Sequence, residues 1–293
     1  MKNLEKDDRI IIYTENLSYE YGDGTKALLN VNVKIPKGKT IGILGGNGAG
    51  KSTLFLNMNG IFQPLDGNVF FKGEKLKYDK KSMKELRKAV GIVFQDPDDQ
   101  LFSASVYQDI SFGPMNLGLE KEEVIKRVEK AIIRTGVSDI RDKPTHNLSY
   151  GQKKRVAIAG ILAMEPEVLI LDEPTAGLDP MGVSDILKLI VETQKESDLS
   201  VVIATHDIDI VPLFCDYVYV MDNGQVVLEG SPEEIFSNTE KLRKFNLRLP
   251  RIGHLMEILR EKDDFDIEGM PTTISEARRA LIKWKDKALG KTH

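Results

Sequence analysis

Eight consecutive residues, Gly45-Gly46-Asn47-Gly48-Ala49-Gly50-Lys51-Ser52, have the spacing GxxxxGKS, which suits them to hold a chain of phosphates. The glycines let successive backbone N–H groups face phosphate oxygens without side-chain clashes, and a helix starting at Lys51 adds the favourable end of its dipole. Lys51 is expected to reach the β and γ phosphates of a nucleotide, Ser52 to ligate magnesium, and Thr53 to extend the phosphate-binding run. Far along the chain, VLILDE ends in Asp172 and Glu173. Asp172 is the candidate magnesium-site acid, acting through a water, and Glu173 the candidate to orient or activate an attacking water. A third cluster, Ser149 to Gln152, has capping-box spacing that leaves a helix end and the Gly151 backbone available to a phosphate.

These residues need elements to position them. TIGIL, directly before the phosphate loop, is a short apolar run of the kind buried in parallel sheets, and VGIVFQ, VLILDEP and SVVIATH read the same way. Parallel strands present ligands at their carboxyl ends, where Gly45 and Asp172 fall. A helix is predicted from Lys51 and another over SDILKLIVETQKE. Residues 103–163 read mostly as helix, with Pro114 and Pro144 limiting two segments, so a helical region is inserted into an α/β core. At the start, IIYTENLSYEY and LLNVNVKI flank a Gly22–Gly24 turn, and Val31, Val33 and Ile35 alternate with polar residues as one buried face. Asn223-Gly224 within VYVMDNGQVVLEG predicts a hairpin. After about residue 230 the chain changes character: SPEEIF opens a helix, and Ile274, Ala277, Leu281, Trp284 and Ala288 form a stripe expected to pack on the chain's own body.

Bulk properties narrow the partners. With 41 basic and 45 acidic residues, the net charge of −4 gives no overall positive field for nucleic acid, and no nucleic-acid partner is expected. No apolar run reaches the roughly 18 to 20 residues that span a bilayer, and MKNLEKDDR lacks a signal-peptide core, so a cytosolic chain reaching membranes through a partner is expected. Cys215, the only cysteine, excludes an intramolecular disulfide and reads as an inert thiol; His146, His206, His254 and His293 are too dispersed for a metal cluster.

The phosphate loop and acidic pair alone describe many nucleotide hydrolases, although the guanine-selecting NKxD is absent from its expected place. The run Leu148-Ser149-Tyr150-Gly151-Gln152, followed by KKRVAIAGILAMEP, resembles the signature of ATP-binding-cassette ATPases of membrane transporters, departing from the commonest LSGGQ at Tyr150. The resemblance covers about residues 10–230 and implies a P-loop NTPase core of cassette-ATPase type. It implies that Ser149, Tyr150, Gly151 and Gln152 contact ATP held by the partner's phosphate loop. Gln95 resembles the switch-loop glutamine near magnesium, His206 the switch histidine beside Glu173, and Asp179 the interface acid of the dimer-communication loop. Tyr21 resembles the aromatic that stacks on adenine, with Tyr19 as the alternative.

Residues 96–119, together with LSYGQKKRVAIAGILAM, resemble energy-coupling-factor ATPases, particularly cobalt-importer members. That likeness implies ATP and Mg2+ as cofactors, a second identical or related cassette ATPase, a transmembrane coupling protein, and a membrane-embedded substrate-binding component. The chain would lie peripherally on the cytoplasmic face of the membrane. Residues 1–230 would form the cassette domain and 231–293 a C-terminal extension assisting dimerisation. Cobalt is the implied cargo, with nickel and vitamins as alternatives; a soluble cassette ATPase of translation or DNA maintenance is a different class the motif set leaves open.

Overall fold

The computed structural model describes residues 9–245 and 247–289; the opening of the chain and His293 lie outside the described residues. Three strands come first, β1 (Ile10–Glu20), β2 (Lys26–Val31) and β3 (Lys34–Pro36). Val31, Val33 and Ile35 are all buried, as their alternation predicts. The wholly buried β4 (Thr40–Leu44) delivers the chain through the glycine-rich turn into α1 (Lys51–Met58). There follow β5 (Asp66–Phe71), β6 (Glu74–Lys75), α2 (Lys80–Ala89) and β7 (Val90–Val93), then the helices α3 (Val106–Asn116), α4 (Lys121–Thr135) and α5 (Tyr150–Leu162). Alternation resumes with β8 (Val168–Asp172), α6 (Pro180–Ser197), β9 (Ser200–Thr205), the short α7 (Val211–Phe214), β10 (Tyr217–Asp222) and β11 (Gln225–Gly230). The chain closes with α8 (Pro232–Ser237), α9 (Thr239–Lys244), α10 (Arg251–Lys262) and α11 (Ile274–Ala288).

The larger sheet has the order β11-β10-β4-β9-β8-β7, parallel from β10 to β7, with β11 antiparallel at one edge. Its register sets the site. Leu44 pairs with Thr205, Asp172 with Ala204, and Leu171 with Val93, so β4, β9, β8 and β7 end nearly level. With neighbouring strands about 4.8 Å apart, the residues just past those ends form one rim.

A smaller antiparallel sheet, β2-β1-β5-β6 with β3 also on β1, shares a core with α1 and one face of the parallel sheet. Leu54, Phe55 and Met58 of α1 pack there with Leu28, Ile35, Ile43 and Ile170. On the opposite face, Ala157 and Ile158 of α5 and Ile186, Leu189 and Ile190 of α6 cover Leu169, Leu171, Val201 and Ile203. The other side of α5, through Val156 and Ala159, joins Ile110 of α3 and Val124, Val128 and Ile132 of α4. One helix thus belongs to both the sheet's core and the helical insertion.

Two local expectations are adjusted. Pro114 lies inside α3, which continues only as far as Asn116; the missing N–H removes one i→i−4 hydrogen bond, and the helix ends within the same turn. In α11 only the middle of the stripe packs: Ala277 is buried and Trp284 stacks on Phe265 at 4.1 Å, whereas Ile274 is 75% exposed. The hairpin forms as read, with Asn223 and Gly224 at φ 46° and 75°, the two positive values a type I′ turn requires. Ile235, Phe236, Leu242 and Leu249 share a core with Leu44, Val218 and Val220, so packing runs on past residue 230. Among the described residues no helix is long and apolar enough to cross a membrane.

Candidate functional site

The rim beyond β4 carries the phosphate loop. Gly50 is the N-cap of α1, at φ 99°, and no side chain caps the helix. A Cβ at Gly50 would lie 2.5 Å from the Ala27 carbonyl oxygen, so the backbone can pass here only without a side chain. The uncapped first-turn N–H groups suit an anion. Lys51 arches back over the loop, its Nζ donating to the carbonyls of Gly45 at 2.8 Å and Gly46 at 3.0 Å. Ser52 Oγ donates to Asp172 Oδ2 at 2.5 Å, joining the end of β8 to the start of α1. A hydroxyl and a carboxylate in contact form an all-oxygen donor set of the kind magnesium takes alongside phosphate oxygens.

Glu173, one residue past β8, is 5% exposed and has φ 47°, an unfavourable conformation for its side chain. Its N–H donates to the Ala204 carbonyl at 3.0 Å, which fixes the turn. Its Oε2 lies 2.8 Å from His206 Nδ1 and accepts the His206 backbone N–H at 3.3 Å. His206 follows β9 directly and its side chain is 68% exposed. A buried carboxylate against an accessible imidazole can orient a water and accept its proton.

Gln95 lies two residues beyond β7, and its backbone carbonyl accepts from Tyr150 Oη at 3.1 Å and from Lys154 Nζ. Asp179 caps α6, its Oδ1 accepting the Gly182 N–H at 2.7 Å. Tyr21 is 37% exposed, and its hydroxyl shares a 2.8 Å hydrogen bond with Thr53 Oγ1, placing its ring beside the phosphate loop. Tyr19 instead stacks face to face on Phe62 at 4.8 Å. Of the two tyrosines, Tyr21 is the one tied to the loop.

The signature residues lie apart from this cluster. Ser149 caps α5 and accepts the Gln152 N–H at 3.4 Å, while Gln152 Oε1 accepts the Ser149 N–H at 3.0 Å, completing the capping box. Among the described residues no hydrogen bond joins residues 149–152 to residues 45–53. The sequence reading missed Lys154, which is wholly buried, and missed the inward use of the Tyr150 hydroxyl. A lysine inside the otherwise apolar inner face of α5 was the available signal for the first.

Comparison with known proteins identifies the family. The ABC transporter family profile matches residues 28–176. The energy-coupling factor transporter ATP-binding protein EcfA3 of Clostridium perfringens is 59% identical over 277 residues, 94% of this chain and 97% of that protein. The solved structure of cbiO1 from Clostridium perfringens, described as part of the ABC transporter complex cbiONQ, aligns with TM-score 0.73 and 61% identity, covering 85% of this chain and all of that one. The dimeric cassette MJ0796, bound to ADP and Pi in a post-hydrolysis state, aligns with TM-score 0.69 at 27% identity over 76% of this chain and 99% of that one. This chain belongs to the ABC transporter family, among the energy-coupling factor ATP-binding proteins, and is an ATPase coupled to transport.

Proposed function

We propose that this chain is the ATP-hydrolysing subunit of an energy-coupling factor importer for cobalt, acting peripherally at the cytoplasmic membrane face. The observation that carries the ATPase chemistry is the meeting, on one sheet rim, of Lys51, the Ser52–Asp172 pair and the Glu173–His206 pair. In this reading the N–H groups of residues 45–53 and the Lys51 ammonium hold the phosphates. Ser52, Asp172 and Gln95 hold Mg2+, which supplies charge neutralisation at the transferred phosphoryl group. Glu173 orients the attacking water and accepts its proton, and His206 places that water against the γ-phosphate. Tyr21 stacks on adenine. Ser149 to Gln152 reach the nucleotide of a second cassette, identical or related, and Asp179 lies at that interface.

Cobalt is favoured over nickel or a vitamin by the likeness to cbiO1 and by residues 96–119. The cargo site belongs to the membrane-embedded substrate component. Phe102, Phe112 and Met115 are 65%, 49% and 64% exposed, and the two rings meet edge to face at 4.7 Å. This apolar patch, a few residues beyond Gln95, is proposed to seat the transmembrane coupling protein. Residues 231–293 are proposed to assist pairing of the two ATPases.

Glu173→Gln keeps the hydrogen-bonding shape but cannot take a proton. ATP binding is expected to persist while kcat falls by about 100-fold or more, with paired chains accumulating in gel filtration with ATP. Turnover at the wild-type rate would remove Glu173 from the mechanism.

A further inference from the structure

Tyr150, the residue at which the signature departs from LSGGQ, uses its side chain within its own chain. Its hydroxyl donates to the Gln95 carbonyl at 3.1 Å. The same oxygen accepts from Lys154 Nζ, which also approaches the Phe94 carbonyl at 3.4 Å. A carbonyl oxygen has two lone pairs, so Gln95 O is satisfied by two side chains four residues apart on one face of α5. The Tyr150 ring also lies against Gly177, in the loop leading to Asp179: a Cβ there would stand 2.9 Å from the Tyr150 Cε1. Lys153 adds an ion pair to Asp98 at 2.6 Å. The first turn of α5 therefore grips both the loop that follows β7 and the loop that follows Glu173.

Lys154 itself is fully buried, and burial pulls its ammonium below the usual lysine range while Asp172, Asp96 and Glu173 favour its charge. A buried ammonium is costly unless it is paired and hydrogen-bonded, and here its bonds go to the backbone of residues 94 and 95. We propose that Tyr150 and Lys154 are positioning residues that fasten the Gln95 peptide to α5 in the same chain, so that switch loop and signature helix move as one body. The inference rests on the assignment of Gln95 to the magnesium and water site. It gives Tyr150 a role in its own chain, distinct from any contact with the partner's nucleotide.

The test uses the purified full chain. Tyr150→Phe keeps the ring against Gly177 and removes only the donor; Lys154→Met removes the second donor, and Lys154→Gln restores an N–H. The melting temperature of Tyr150→Phe is expected to stay within about 2 °C of wild type. Its KM for ATP is expected within about twofold and its kcat lowered about fivefold. Lys154→Gln is expected to recover part of the kcat that Lys154→Met loses. Wild-type kcat in Tyr150→Phe would overturn the proposal, as would equal kcat in the two Lys154 variants. Wild-type kcat in Gln95→Ala would overturn the assignment of Gln95 on which this inference rests, whereas a slow Gln95→Ala beside an unimpaired Tyr150→Phe would overturn the inference alone, so the two failures are distinguishable.

Discussion

Side chains on this molecule are set by what their neighbours leave them. Cys215 Sγ lies against Gly42, and burial pushes the thiol up to about 12, with Asp216 adding to the shift. At pH 8 only about one molecule in ten thousand would carry the thiolate, the reactive form. Native protein is therefore expected to resist iodoacetamide for hours and to take up one equivalent when unfolded in urea; fast labelling of the native protein would contradict this. The inert thiol was legible from the run PLFCDYVYVM, because apolar neighbours that bury a thiol and an adjacent carboxylate, Asp216, both disfavour the thiolate. The choice between Tyr19 and Tyr21 was not legible. Both are tyrosines next to the same turn, and they are separated by tertiary contacts, the bond from Tyr21 to Thr53 and the stacking of Tyr19 on Phe62. Glu173 was legible as an acid after a strand, but its positive φ and its contact with His206 depend on where β9 pairs.

At the scale of elements, local chemistry was read more reliably than extent. The capping box at Ser149 was visible in spacing because both of its bonds are made within four residues. Pro114 marked the end of a helical segment to within two residues, because a proline's lost N–H and ring clash fall on the turn before it and leave the residues just after it free to stay helical. Thr273 forms a capping box of the same kind for α11, accepting the Glu276 N–H at 3.2 Å while Glu276 accepts the N–H of Thr273 at 3.1 Å. The helix behind it rests on a small cluster of Met256, Ile267 and Ala277, so its end condition matters more than it would for a helix in the main core. Thr273→Ala is expected to cost about 1 kcal/mol and to speed amide exchange in α11 about fivefold, leaving α1 and α5 unchanged. Unaltered protection in α11, or faster exchange across the whole chain, would show that α11 does not open independently.

For the whole molecule, the parallel core and helical insertion followed from alternating apolar runs, whereas the level ending of β4, β9 and β8 is a property of the assembled sheet. That rim gathers phosphate-loop, acidic and histidine residues, while Ser149 lies on the insertion without a bond to residues 45–53 among the described residues. A single chain then holds two halves that it does not bring together, and a two-fold pair would complete both sites. Mixing two inactive variants separates the halves. In a pair formed from one Lys51→Ala chain and one Ser149→Arg chain, the site combining the second chain's phosphate loop with the first chain's signature is intact. Random re-pairing of equal amounts makes half the pairs mixed, each with one working site of two, so about a quarter of wild-type ATPase activity is expected. Measured by phosphate release after co-refolding or subunit exchange, no recovery despite mixed pairs detected by native mass spectrometry would mean that Ser149 serves the nucleotide of its own chain or none.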